Sequence, residues 1–270
     1  MPSNNPAFSR FGPDANGRKQ PAPWATQAQP YGAPAQADPY AAPSPYAATT
    51  TRYMTMDDVV TKTGLTFIVT VLAAAGVWAL PGTTGWSLAI PAVLVGLVLG
   101  LVISFKAISN PLATLSYAVV EGVFLGAVSE AFEDYFGKGI VMQAVLGTFG
   151  VFAGMLVVYK TGAIRVTPKF TRWIIGALVG VLVLVIANLI ASFITPGGLG
   201  LRDGGPLAIV FSLVVIGVAA FSLLLDFDMA DEAIRRGAPA KFAWYIAFGL
   251  LVTVVWLYLE ILRLLSYFRE

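Results

Sequence analysis

From Lys62 onward the chain is a succession of apolar runs, each about twenty residues long, separated by short polar or Gly/Pro-rich breaks. The runs cover residues 63–80, 86–105, 110–132, 139–159, 172–193, 206–225 and 242–268. Twenty helical residues span about 30 Å, the depth of the hydrocarbon layer of a bilayer. An unpaired backbone group in that layer costs several kcal/mol, so each run must be a helix, and the alternation of a strand barrel is missing. The expected fold is therefore an all-α membrane protein, a seven-transmembrane-helix bundle over residues 53–270. Composition agrees. Hydrophobic residues make up 57% of the chain and charged residues 12%, about half the charge that a soluble domain carries.

Residues 1–52 read differently. They are rich in Pro, Ala, Gln and Tyr, as in Pro30-Tyr31-Gly32-Ala33-Pro34, and bury too little apolar surface to offset the entropy of ordering. They lack the three-part pattern of a signal peptide. The expectation is a disordered cytoplasmic tail, with its Pro-Tyr pairs either plain low complexity or a docking sequence.

Basic residues orient the bundle. Arg10, Arg18, Lys19, Arg52, Lys62, Lys106, Lys160, Arg165, Lys169, Arg172, Arg235, Arg236 and Lys241 fall on one side, against Lys138, Arg202, Arg263 and Arg269 on the other. That bias expects the N-terminus in the cytoplasm and the C-terminus outside. Trp78, Trp86, Trp173, Trp244 and Tyr245 lie near helix ends, where amphipathic rings favour the interface. Four pairs of glycines at spacing four, Gly96/Gly100, Gly122/Gly126, Gly150/Gly154 and Gly176/Gly180, are candidates for close helix packing.

Cysteine and histidine are absent, which excludes disulfides, thiolate chemistry and the common zinc sites. Enzyme motifs are missing too, so no enzyme and no cofactor are expected. A net charge of +2 gives no reason to expect a nucleic-acid partner. Function then rests on ionisable groups inside hydrocarbon, which are costly there. Glu121 lies near the middle of the third run and has no basic residue within a turn. Glu130 follows toward that run's end. Asp226 and Asp228 close the sixth run, where they also fit a helix leaving the bilayer. Glu260 lies in the seventh, with Arg263 three residues on and on the same helical face. Asn188 is the chief amide of the fifth, and bonding to a neighbouring helix would account for it.

The segments Glu121-Gly122-Val123-Phe124-Leu125-Gly126, Leu224-Leu225-Asp226 and Leu257-Tyr258-Leu259-Glu260, with Asn188, resemble the Bax inhibitor motif family. More narrowly, residues from about Met54 to Phe268 resemble its longer members in high-GC Gram-positive bacteria. The resemblance implies a seven-helix protein of the bacterial cell membrane that acts as a pH-sensitive calcium leak. It also implies a sensing pair of carboxylates on the sixth and seventh helices, which fall on Asp226 and Glu260. Two carboxylates in hydrogen-bond reach cannot both ionise cheaply and share a proton.

The chain departs from the family's pattern at three points. Glu260 stands where aspartate is usual, and Arg263 where an uncharged amide is usual. A turn near Gly237 would leave Asp226 and Glu260 about 15 Å apart in depth. If they do not meet, Glu121 is the expected partner of Glu260. A supporting acid on the second helix is missing, although Lys106 could replace the arginine at that helix's end. Calcium prefers several oxygen ligands, which Asp226, Asp228, Asp231 and Glu232 could supply at the cytoplasmic mouth, unless these acids balance Arg235 and Arg236. The expected function is a cation leak gated by buried carboxylates, with the lipid bilayer and calcium ions as partners. The alternative is a non-conducting regulator that binds a membrane protease or a stress-signalling protein.

Overall fold

The computed structural model describes residues 52–80 and 84–269, without the side chains of 84–86. The expected tail therefore lies outside the described residues, except for Arg52. Seven long helices follow: α1 (Met56–Trp78), α2 (Thr84–Lys106), α3 (Pro111–Phe136), α4 (Ile140–Thr161), α5 (Pro168–Ser192), α6 (Pro206–Arg235) and, after a short 3₁₀ turn at Ala240–Phe242, α7 (Ala243–Tyr267). All seven are long and apolar enough to cross a membrane.

Local chemistry sets the helix starts, and it moves two of them from the positions that hydropathy alone indicates. Thr55 and Asp58 form a reciprocal capping box, so α1 begins at Met56 rather than near Thr63. The Thr167 side chain caps the Phe170 amide and Pro168 occupies the first turn, so α5 begins before Arg172. The larger correction is at α6, which continues past Leu225 to Arg235. Its last turns carry ion pairs at helical spacing, Asp231–Arg235 at 3.1 Å and Glu232–Arg236 at 2.7 Å, which support the helix where apolar burial ends.

α7 is the axis of the bundle. Buried positions make up 67% of its apolar window, against 11% for α5. Helices α1, α3, α4 and α6 pack around it, α2 lies against α3, and α5 lies against α6. The glycine pairs divide into two kinds. A methyl group at Gly122 or Gly126 would strike the α1 backbone at Thr70 or Ala74, and Gly96 and Gly100 face Glu121 and Tyr117 of α3. By contrast, Gly150, Gly154, Gly176 and Gly180 meet nothing within 4 Å. Two of the four expected pairs therefore make helix contacts, and those on α4 and α5 do not.

Both ends of the bundle are stitched by polar contacts. At the basic end, Tyr53 pairs with Pro239 as an isolated bridge, and Met54 and Ala240 exchange backbone hydrogen bonds with Ala238 and Arg52. Buried Asp58 pairs there with Arg52 at 3.1 Å and Lys62 at 3.6 Å. Asp58→Ala removes the capping box and both ion pairs together. Its expected cost is about 2 kcal/mol in unfolding of the detergent-solubilised protein, with Asp58→Asn losing about half as much because it keeps a cap. At the far end Arg269 donates to the Gly137 carbonyl at 2.8 Å and to Gln143 at 3.0 Å, which closes the α3–α4 loop onto α7.

Candidate functional site

Polar side chains enter the bundle at three levels. The deepest charge is Glu260 on α7, which is 2% exposed. One oxygen accepts a hydrogen bond from Ser212 of α6 at 2.9 Å. The other faces two cations, Arg263 at 3.4 Å one turn along α7 and Arg202 at 3.8 Å from the α5–α6 loop. Asn188 positions that loop, because its side-chain oxygen accepts from the Leu199 amide at 3.0 Å. Its role is thus to shape a loop rather than to join two helices. Gly198 beside it adopts φ +63°, and a side chain there would press 2.8 Å from the Asn188 carbonyl. Asn188, the loop, Arg202 and Glu260 form one chain of support.

Asp226 of α6 lies at a different level, with Oδ1 on α7 near Gly249 and the side chain beside Thr253. The Thr253 hydroxyl itself reaches the Gly249 carbonyl at 3.2 Å. The second Asp226 oxygen, Oδ2, is buried with no hydrogen-bond partner among the described residues. The two expected sensor acids therefore do not meet. Their contact points are about 10 Å apart along α7, from Thr253 to Glu260, and about 21 Å apart along α6, from Ser212 to Asp226. The cause is the offset foreseen from the turn at Gly237, which tilt does not close.

Glu121 is not the partner of Glu260 either. It receives a hydrogen bond from Tyr117 one turn earlier on α3 and faces Gly96 of α2. Tyr117 in turn stacks edge-on against Phe248 of α7, with ring centroids 4.9 Å apart. Glu130 is half-buried farther along α3, and Lys106 is exposed at the end of α2.

The four acids proposed for calcium do not converge. Asp226 turns inward to α7, Asp231 pairs with Arg235 and receives the Tyr159 hydroxyl, and Glu232 pairs with Arg235 and Arg236. Asp228 lines a cleft of about 450 Å³ with Thr171 and Arg172 at the start of α5. Residues two apart on a helix point to different faces, which separates 226 from 228. Among the described residues no group of three or more acids is arranged to hold a metal ion. The cluster instead balances Arg235 and Arg236.

The chain matches the family model described as Bax inhibitor 1 like over residues 5–270. The chain belongs to the Bax inhibitor 1 like family. The match takes in most of the tail, which the sequence resemblance had left out. A search of curated proteins finds no match. Membership, with seven apolar helices, makes the chain a multi-pass membrane protein in contact with the lipid bilayer.

In this Bax inhibitor 1 like bundle the two positions expected to sense pH are thus separate sites. Glu260 is held by two arginines and a serine, and Asp226 has a buried oxygen without a partner. Arg202, Ser212 and Thr253 are absent from the candidates that the sequence singled out. The signal for Arg202 was present, because it is the one basic residue of the α5–α6 loop. Ser212 and Thr253 are hydroxyls in apolar runs and carry no such mark.

Proposed function

We propose that the chain is a pH-sensitive cation pathway of the cell membrane, with calcium as its cargo and the N-terminus in the cytoplasm. Asp226 is the group whose charge opens it. The observation that carries this reading is the buried Asp226 Oδ2, which has no hydrogen-bond partner among the described residues. Such an oxygen is tolerable when the carboxyl is protonated and costly when it is ionised, because desolvated charge without compensation is unfavourable. Loss of the proton would favour entry of water and a cation between α6 and α7. Glu260, clamped by Arg202 and Arg263, serves as a fixed latch at the far end. This replaces the shared-proton pair with a single titrating acid. The chain performs no covalent chemistry in this reading.

Asp226 is protonated at low pH and ionised at high pH, so calcium release from dye-loaded liposomes should rise with pH. Asp226→Asn should flatten the profile at its low-pH level, a drop of about ten-fold at the alkaline end for about 1.4 kcal/mol of lost bias toward the open form. Flux equal to that of empty liposomes at every pH would favour the non-conducting regulator. An unchanged profile in Asp226→Asn would remove Asp226 from the mechanism.

A further inference from the structure

Between α1 and α4 lies a cavity of about 260 Å³, floored by α3 and α7. The two walls touch where Phe67 meets Phe152 edge-on, with ring centroids 6.3 Å apart. From there the cavity follows α1 to Trp78 at the helix end, a distance of about 16 Å. That length is close to the depth of one leaflet, about half of the 30 Å hydrocarbon layer.

The wall contains four hydroxyls, and each is already hydrogen-bonded within the protein. Thr70 donates to Thr66 and Thr148 to Ala144, while Ser129 and Tyr258 bond each other at 2.7 Å. Apart from the Trp78 indole at the helix end, the surface left to an occupant is therefore methyl and ring carbon. The cavity also opens sideways. Val71 of α1 and Phe149 of α4 both line it and both belong to the exposed apolar face of the bundle, 59% and 49% exposed. The groove is thus continuous with the surface that contacts lipid.

We infer that this groove binds one acyl chain of a membrane lipid, with the chain end near Phe67 and the headgroup beyond Trp78. An apolar cavity of about 150 Å³ holds benzene, so by proportion this one holds about ten chain carbons. With all four hydroxyls bonded within the protein and the Trp78 indole confined to the helix end, recognition along the groove is by shape and apolar contact, and the groove selects a chain rather than a headgroup. An empty groove would forfeit the dispersion contacts of its lining. The site is distinct from Asp226 and from Glu260, neither of which lines it.

The test is photolabelling of the full-length protein in phosphatidylcholine vesicles that contain a phospholipid with a mid-chain diazirine. Labelled residues are mapped by peptide mass spectrometry. The expected result is labelling of Val71, Val145 and Phe149 about five-fold above Val179 and Leu182 on the exposed face of α5, a preference of about 1 kcal/mol. Labelling in the groove should saturate as the probe fraction rises, and labelling of α5 should rise linearly. Ala75→Phe, which fills the groove, should bring its labelling down to the α5 level. Equal and linear labelling of both faces in the wild-type protein would overturn the proposal, leaving bulk lipid alone. Cross-links from the groove to a second copy, without acyl labelling, would overturn it in favour of a protein contact.

Discussion

Glu260→Gln is expected to lower the stability of the detergent-solubilised protein by about 3 kcal/mol, the low end of the range for breaking a buried ion pair. Glu260 is 2% exposed and lies between Arg202 and Arg263, whose side chains are 26% and 30% exposed. Glutamine keeps the shape and can still accept from Ser212, so the loss isolates the charge. Two partly buried guanidinium groups would then face each other without an anion. Because both retain some access to water, the effect falls below the upper end of that range. Single changes at Arg202 or Arg263 to alanine should cost about 1 kcal/mol each, since the other arginine remains. The double change should exceed their sum, because the carboxylate then has Ser212 alone. Chemical unfolding of the four variants checks this. A Glu260→Gln protein within 0.5 kcal/mol of wild type, a difference typical of surface changes, would show that the cluster is incidental.

Gly126→Ala and Gly122→Ala form the second large effect. A methyl group on Gly126 would sit 2.5 Å from the Ala74 carbonyl oxygen, and one on Gly122 would lie 2.7 Å from the Ala73 methyl and closer still to the Thr70 carbonyl. These obstacles are mostly backbone, which cannot rotate away, so α1 and α3 must separate. The expected cost is about 3 kcal/mol at each position, the upper part of the range for overpacking. Gly150, Gly154, Gly176 and Gly180 meet nothing within 4 Å. Alanine there should instead stabilise by about 0.5–1 kcal/mol through its better helix propensity. Unfolding in mixed detergent–SDS micelles would separate the two groups. If all six alanine variants clustered together, the α1–α3 contact would not be the tight one.

The positions of the spans were readable along the chain, because each helix satisfies its own backbone and hydropathy adds up locally. The run at 206–225 predicted α6 but not its end, since apolarity reports where lipid stops and Asp231–Arg235 pairing decides where the helix stops. The glycine spacing was equally visible on four helices, yet spacing does not say which face meets a neighbour. Gly126 meets α1 and Gly154 meets nothing.

The candidate acids were also legible, because a carboxylate in an apolar run is conspicuous in any sequence. Their partners were not. Which residue lies opposite Glu260 depends on the depth offset of α6 against α7 and on a loop that returns Arg202 from 58 positions away in the chain. Sequence alone determined that Glu260, Asp226 and Glu121 are acids within or at the end of apolar runs, since hydropathy is a local property of the chain. Only the tertiary structure decided that Glu260 is matched by two arginines and that Asp226 keeps a buried oxygen unpaired, because charge pairing acts over a few ångströms and the register of packed helices sets those distances.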